Sequence, residues 1–185
     1  MATVEQLDSV LTTVEPLVAA VGSDQWDAPT PCPDWDVRTL LDHLVGGNDL
    51  YAAALAGREG PGRGTDSLGA DPVEAYRASA AAVVEAFREP GALDRPVTVP
   101  FGTVPAEMAL HLRIVEVLAH GWDLARATGR TVSFPDDVVE QEIAFSRQAL
   151  PVIPAERSPF AASHPVPDDA APLDRLVALL GRDPH

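Results

Sequence analysis

TVPAEMALHLRIVEVLAHGWDLARAT, residues 103–128, predicts one long helix around which the rest of the chain is organised. Its apolar residues recur at spacings of three and four, the period of an amphipathic helix. A first stripe comprises Met108, Leu112, Val115, Ala119 and Trp122. Much of the remaining circumference is also apolar, through Leu110, Ile114, Val117, Leu118 and Leu124. A helix that is apolar on most sides is expected to be buried in the core.

Three ionisable residues share one face of this predicted helix. At about 100° per residue, Glu116 and His120 differ by about 40°, and Glu116 and Asp123 by about 20°. A carboxylate and an imidazole are costly to bury unless a partner satisfies them. A metal ion is such a partner, although a glutamate and a histidine at this spacing are also commonly a solvent-exposed pair.

His43 is the candidate for a third metal ligand, because core-type residues surround it on another predicted helix. Catalytic zinc sites typically take three side chains from His, Asp and Glu and keep one position open. Helical bundles build such sites from facing helices. The sequence therefore predicts a metal site formed by His43, Glu116 and His120, with Asp123 orienting His120. For His43 the alternative is a hydrogen-bonded core histidine.

Cys32, in the loop before the His43 helix, is a weaker candidate for a site residue. It is considered as a reactive thiol or a partner for a small thiol, but a packing role is the favoured interpretation. His111 lies roughly opposite His120 on the long helix, and His164 and His185 are predicted to lie on the surface. The tryptophans are interpreted as core anchors, namely Trp26, Trp35 and Trp122.

The composition fits one globular domain spanning residues 1–185, with 46% hydrophobic and 22% charged residues. A net charge of −15 disfavours nucleic acid and anionic membrane surfaces as partners. The single cysteine is typical of a reducing compartment, and no stretch approaches the ~20 apolar residues of a membrane span. We therefore expect a cytoplasmic protein.

Hydrophobic periodicity and breaker residues predict an all-α helical bundle with a core of about residues 1–150. Helices are expected over residues 4–21, 36–57, 71–90, 103–128, 135–150 and 173–180, with N-caps at Asp36 and Asp71. The segment LDRPVTVPFGTVP, residues 93–105, predicts an extended stretch or small hairpin before the fourth helix. Residues 151–185 are expected to form a Pro-rich wrapping loop and a terminal helix. Gly46 and Gly47 would permit close packing or the approach of a ligand.

Two segments carry a family resemblance: TPCPDWDVRTLLDHLVGG, residues 30–47, and VEVLAHGWDLARATG, residues 115–129. They resemble the metal-binding DinB-like superfamily. The similarity is closer to the N-terminal domain of mycothiol-dependent maleylpyruvate isomerase and the short actinobacterial proteins built on it. The ending PLDRLVALLGRDP, residues 172–184, also resembles that short subfamily.

The resemblance implies a four-helix up-down-down-up bundle that binds a divalent metal, usually zinc or nickel. The ligand positions of the family fall here on His43, Glu116 and His120. In the isomerase the metal centre works with the thiol cofactor mycothiol, and a second, C-terminal domain contributes to the active site. This chain departs from that pattern, because only residues 151–185 follow the bundle.

The leading functional hypothesis is a metal-dependent mycothiol transferase or isomerase acting on an electrophilic substrate. A thiol bound to the ion would lose its proton and become a nucleophile. A non-catalytic metal-binding scaffold or sensor is the main alternative, so whether the protein is an enzyme stays open. A metal-water hydrolase would use the same ligands, and a plain bundle with an empty site is also considered. Related bundles often form homodimers, but no exposed apolar stripe in this sequence requires one.

Overall fold

The computed structural model describes residues 2–62, 64–99, 102–150 and 161–185. Within these ranges the all-α architecture is confirmed. The elements are α1 Val4–Ala19, α2 Val37–Leu55, α3 Pro72–Arg88, β1 Pro96–Val99, β2 Gly102–Pro105, α4 Ala106–Ala127, α5 Asp136–Ala149 and α6 Pro172–Leu179. No helix in these ranges is both long and apolar enough to cross a bilayer.

Two helices begin at the aspartates predicted as N-caps. The Asp36 carboxylate accepts a hydrogen bond from the backbone N–H of Thr39 at 2.7 Å, at the start of α2. Asp71 does the same for the N–H of Glu74 at 3.1 Å, and Pro at the next position starts α3. Each cap satisfies a backbone donor that has no partner within the helix.

The fourth helix begins later than its hydrophobic pattern predicts. Residues 102–105 pair instead with β1 as an antiparallel hairpin, in which Val97 faces Val104 and Thr98 faces Thr103. The predicted start at residue 103 is therefore wrong, whereas the predicted hairpin before the helix is confirmed. The backbone N–H and C=O groups of these residues find their hydrogen-bond partners in β1, so the helix begins only after them.

α1 and α3 are antiparallel neighbours. Arg77 near the start of α3 pairs with Glu15 near the end of α1, at 2.6 Å. Arg88 at the end of α3 pairs with Asp8 in the first half of α1, at 2.8 Å. These exposed pairs contribute little stability, but their order along the two helices fixes the opposite directions.

α4 runs parallel to α1 and antiparallel to α2. His111 lies beside Ala2 and Gly121 lies against Val14, so both helices advance together. In contrast, α2 passes α4 in the reverse sense, because its earlier residues contact later residues of α4 (His43 with Glu116, Asn48 with Arg113). The helices α1 to α4 thus run up, down, down and up.

α4 is buried along most of its length, as the sequence predicts. Within the predicted stripe, Met108 near the first turn is 37% exposed and Leu112 is half-buried. The apolar core on α4 includes Leu110, Ile114, Val117, Leu118 and Leu124, all fully buried.

The chain after α5 covers α4 and α5 through α6, which packs against both. Residues 161–171 have no regular structure, as predicted for this Pro-rich segment. The backbone N–H of His164 donates to the carbonyl oxygen of Ala178 at 2.9 Å, which ties this segment to α6. The first part of the predicted wrapping loop, residues 151–160, lies outside the described ranges.

Candidate metal centre

The antiparallel packing of α2 and α4 brings the three predicted ligands together. The Nε2 atom of His43 lies 3.7 Å from Oε2 of Glu116. The imidazole rings of His43 and His120 are 5.0 Å apart between centroids, edge to face. The His43 side chain is 35% exposed and that of His120 only 6%. The cluster therefore lies at the surface on the His43 side and is buried on the His120 side.

Trp35 forms a wall of this cluster. Its ring centroid lies 4.6 Å from that of His43 and 5.5 Å from that of His120. The preceding loop holds it there: Asp34 has a left-handed backbone with φ of 67°, and the Thr30 hydroxyl donates to the Trp35 carbonyl at 3.0 Å. Trp35 packs against the core, as predicted for a core anchor, and also contacts two candidate ligands.

His120 is oriented by the buried carboxylate of Asp123. The distance from His120 Nδ1 to Asp123 Oδ2 is 3.0 Å, and Asp123 also accepts from Arg182 at 3.0 Å. A carboxylate only accepts, so Nδ1 carries the hydrogen and Nε2 is left with its lone pair. Burial lowers the pKa of His120 despite the opposing bond to Asp123. A neutral imidazole with a free Nε2 is the form that binds metals.

Glu116 is held by Arg113, one turn earlier on α4. Nη1 of Arg113 donates to Glu116 Oε2 at 2.9 Å, while its Nε donates to Asn48 and its Nη2 to the carbonyl of Leu44. Burial would raise the pKa of Glu116, but the neighbouring imidazole of His43 and the Arg113 guanidinium hold it at about 2. The Glu116 carboxylate is therefore ionised at neutral pH.

Gly47 makes room for that arginine. A Cβ atom at position 47 would lie 3.2 Å from Cζ of Arg113 and closer still to Nη1. Of the two predicted roles for the Gly46-Gly47 pair, the structure shows close packing at Gly47.

Cys32 is half-buried beside this centre. Burial raises the pKa of its thiol, and the carboxylates of Asp123 and Asp34 add to this effect, while Arg182 opposes it. The thiol is therefore protonated at neutral pH, which disfavours a nucleophilic role.

The other histidines have different surroundings. Nδ1 of His111 is 2.9 Å from Oε1 of the buried Glu142, and its ring stacks on Phe145. His164 and His185 are exposed, as predicted.

The chemistry of the three side chains fits a divalent ion. Two imidazoles and a carboxylate are typical ligands of zinc, and a carboxylate hydrogen-bonded to a ligand imidazole is a common companion. Two ligand atoms on a tetrahedral zinc ion are about 3.3 Å apart, so the 3.7 Å between His43 and Glu116 is slightly too wide. In agreement, no group of three or more His, Cys, Asp or Glu side chains in the described ranges is already arranged to hold an ion. The ligand roles of the three residues stay a prediction.

Sequence reasoning missed three neighbours of this centre. Arg113 carried one signal, since it precedes Glu116 by one turn, the spacing of an ion pair on a helix. Trp35 belongs to the segment of residues 30–47 that carries the family resemblance, but nothing in that segment indicates where its ring points. Nothing local indicated that Arg182, far along the chain, would reach Asp123.

Comparison with known proteins places the chain in a family. Residues 7–125 match the model of the mycothiol maleylpyruvate isomerase N-terminal domain. Two uncharacterized proteins of Mycobacterium tuberculosis, from strains CDC 1551 / Oshkosh and ATCC 25618 / H37Rv, are each 36% identical over 167 residues. These alignments cover 90% of this chain and 90% of each relative.

Crystal structures of mycothiol-dependent maleylpyruvate isomerase share the fold. A mutant of that enzyme superposes with a TM-score of 0.59 at 17% identity, and a second structure of it with 0.54 at 18% identity. Both superpositions cover 75% of this chain and 67% of the other. With the match of the family model to most of the bundle, the chain belongs to the mycothiol maleylpyruvate isomerase N-terminal domain family.

Proposed function

We propose that this protein binds a divalent metal, zinc or nickel, through His43, Glu116 and His120, and activates a small thiol of the mycothiol type. The reaction would be a thiol transfer to, or a thiol-assisted isomerisation of, an electrophilic substrate. The observation that carries the proposal is the convergence of two imidazoles and an ionised carboxylate from α2 and α4 beside the half-exposed His43. Membership in a family named for mycothiol-dependent isomerisation supports the choice of thiol.

The residues around the three ligands prepare them for this role. Asp123 holds the hydrogen of His120 on Nδ1, so that Nε2 can bind an ion. Arg113 fixes one oxygen of Glu116 and leaves the other to interact elsewhere. A bound ion would supply one chemical effect, the stabilisation of the thiolate form of a thiol at neutral pH.

Trp35 and the surface charge bear on the substrate. Trp35 covers one side of both imidazole rings, which restricts the entry of water from that side. The net charge of −15 does not favour the recruitment of an anionic substrate. An uncharged electrophile is therefore the preferred substrate class.

A non-catalytic metal-binding scaffold or sensor is the second candidate. This candidate is favoured because the neighbouring polar groups already have hydrogen-bond partners. Arg113 makes three hydrogen bonds, and the carboxylate of Asp123 is shared by His120 and Arg182. The half-buried Cys32 thiol has a raised pKa. None of these groups is an obvious general base.

Zinc affinity and thiol conjugation together test the proposal. Zinc affinity is measured by competition with a chromophoric chelator for wild type and for His43→Ala, Glu116→Gln and His120→Ala, with His111→Ala as the control. We expect the first three variants to lose affinity by tenfold or more and the control to keep it. Equal affinities in all four variants would refute the assignment of the ligands.

Conjugation of mycothiol with monochlorobimane separates the two candidate functions. Metal-loaded protein should accelerate conjugation above both the metal-free protein and the His43→Ala variant. If the protein binds zinc tightly without any acceleration, and calorimetric titration shows no mycothiol binding, the scaffold function replaces the catalytic one.

A further inference from the structure

Arg182 reaches the candidate metal centre from outside the segment that the family model matches, residues 7–125. It follows α6, where Gly181 has a φ of 84°. The backbone N–H of Arg182 donates to the carbonyl of Val177, and that of Gly181 donates to Ala178. This is the Schellman pattern, which ends a helix at a left-handed glycine and turns the chain back. The turn directs Arg182 towards α4.

Arg182 makes a two-pronged contact with the carboxylate of Asp123. Its Nη2 lies 3.0 Å from Oδ2, and its Nε lies 3.4 Å from Oδ1. Both residues are buried, with Asp123 fully inaccessible and Arg182 only 7% exposed. Such a contact restrains rotation of the carboxylate, because each oxygen faces its own donor.

The restrained oxygen is the one that His120 uses. Oδ2 of Asp123 is shared by Arg182 and by Nδ1 of His120, each at 3.0 Å. The hydrogen bond of one ring nitrogen decides which nitrogen carries the hydrogen. An imidazole that lost this acceptor would be free to carry its hydrogen on Nε2, the nitrogen needed for an ion.

We propose that Arg182 is a positioning residue of the metal centre: by fixing the Asp123 carboxylate, it keeps the hydrogen of His120 on Nδ1 and leaves Nε2 available as a ligand. This inference rests on the proposed function for the role of Nε2 as a metal ligand. The effect of Arg182 on the tautomer of His120 does not depend on that function. The segment formed by α6 and Arg182 then helps to form the site and also packs against the core.

A purely structural role would make Arg182 a clamp that holds α6 on the bundle. Arg175 provides the matched control, because it lies on α6, pairs with Glu140 of α5 and donates to the carbonyl of Ala170. Removing Arg175 loosens the same helix without touching Asp123 or His120.

The test compares Arg182→Met, Arg182→Lys and Arg175→Met with wild type. The tautomer of His120 is read from ¹⁵N chemical shifts in the metal-free protein, with the His120 signals assigned through a His120→Gln variant. Zinc affinity and the free energy of unfolding are measured on the same samples. In wild type and Arg175→Met we expect the hydrogen on Nδ1.

In Arg182→Met we expect a shift of His120 towards the Nε2–H tautomer and a loss of zinc affinity of about tenfold. Arg182→Lys keeps the charge but gives up the two-pronged contact, so it should fall between wild type and Arg182→Met. If Arg182→Met does not fold, the lysine variant carries the same comparison.

Two results would overturn the inference: an unchanged Nδ1–H tautomer in the folded Arg182 variants, or a loss of zinc affinity no larger than that of Arg175→Met at equal stability. If wild type binds no zinc, the proposed function fails. The tautomer measurement still decides whether Arg182 positions His120.

Discussion

Gly47 and Arg113 are packed so closely that α2 leaves no room for a side chain at position 47. An added Cβ would lie 3.2 Å from Cζ of the guanidinium and closer to Nη1. That same nitrogen holds the carboxylate of Glu116. A glycine on one helix thus sets the position of a carboxylate on another.

The first prediction is that Gly47→Ala destabilises the protein by about 1–3 kcal/mol through overpacking against Arg113. A glycine-to-alanine change inside a helix otherwise stabilises by up to about 1 kcal/mol. Urea unfolding of wild type and variant measures the difference.

Gly46→Ala is the control for this prediction. Its Cβ would meet only the Ser67 side chain, with the hydroxyl at 3.1 Å and the Cβ at 3.7 Å, and this residue lies on a loop where the hydroxyl can turn aside. We expect this variant to be close to wild type in stability. Equal destabilisation by both substitutions would show that the contact with Arg113 is unimportant.

The second prediction concerns acid stability and Glu116. The pKa of its carboxyl is about 2 in the folded protein and 4.5 in an unperturbed glutamate. The stability that it contributes is complete above about pH 4.5 and is lost as the pH falls towards 2, because the unfolded chain binds the proton first. Between about pH 6 and about pH 3.5 the loss is roughly 1 kcal/mol.

Urea unfolding across this pH range, with a chelator present to remove metal, tests the Glu116 prediction. Other carboxylates also titrate in this range, so the quantity of interest is the difference between wild type and Glu116→Gln. That difference should shrink as the pH falls. A difference independent of pH would contradict the low pKa of Glu116.

The third prediction concerns alkaline stability and the two tyrosines of the chain. Burial raises the pKa of both Tyr51 and Tyr76, and the Tyr76 hydroxyl donates to the carbonyl of Leu11 at 3.1 Å. Because the folded pKa lies above the unfolded value of about 10, their contribution is present below pH 10. It is lost as the pH rises, since the unfolded chain releases the proton first.

The tyrosinate absorbance band should therefore appear only together with alkaline unfolding, as followed by circular dichroism. Tyr76→Phe is expected to cost about 1 kcal/mol at neutral pH for the lost hydrogen bond. It should also weaken the dependence on alkaline pH. Tyrosine ionisation in a still-folded protein would show that the hydroxyls are less protected than the structure indicates.

The fourth prediction is slow reaction of the Cys32 thiol. Its pKa is raised above the ordinary value of 9.0 by burial, so at about pH 8 it should react with a disulfide reagent tenfold or more slowly than a free thiol. Removing the opposing charge of Arg182 should slow the reaction further.

The urea-unfolded protein is the reference for the rate of an accessible Cys32. A native rate equal to the unfolded rate would reopen the interpretation of Cys32 as a reactive thiol. Faster labelling in Arg182→Met would instead indicate that the loop around Cys32 opens when Arg182 is removed.

The local features of the fold could be predicted from the sequence because their causes are local. Asp36 and Asp71 cap their helices through bonds to residues three positions later. The start of α4 could not be placed by periodicity alone, since residues 102–105 satisfy a helical pattern and a hairpin equally well and pairing with β1 decides.

The candidate site was only partly predictable, because its details depend on contacts between distant segments. The face shared by Glu116 and His120 follows from helix geometry. His43 could be predicted because core-type residues surround it on its helix and because the family resemblance places a ligand at that position. The burial of Arg113 depends on the missing side chain of Gly47, and the reach of Arg182 depends on how α6 docks. Neither relationship has a signature within one element.

Some expectations concern properties that a single chain does not display. The cytoplasmic location, the lack of a nucleic-acid partner and the absence of a requirement for a homodimer stay predictions. Size-exclusion chromatography with light scattering would determine the oligomeric state directly.

The order of the helices has a consequence for synthesis on the ribosome. His43 emerges early on α2, but its antiparallel neighbour α4 emerges only after α3 and the hairpin. A nascent chain that ends before α4 therefore exposes an imidazole with no companion from that helix. If these three residues bind an ion as proposed, its uptake must wait until translation has passed α4, and a loaded centre would mark chains whose bundle has closed.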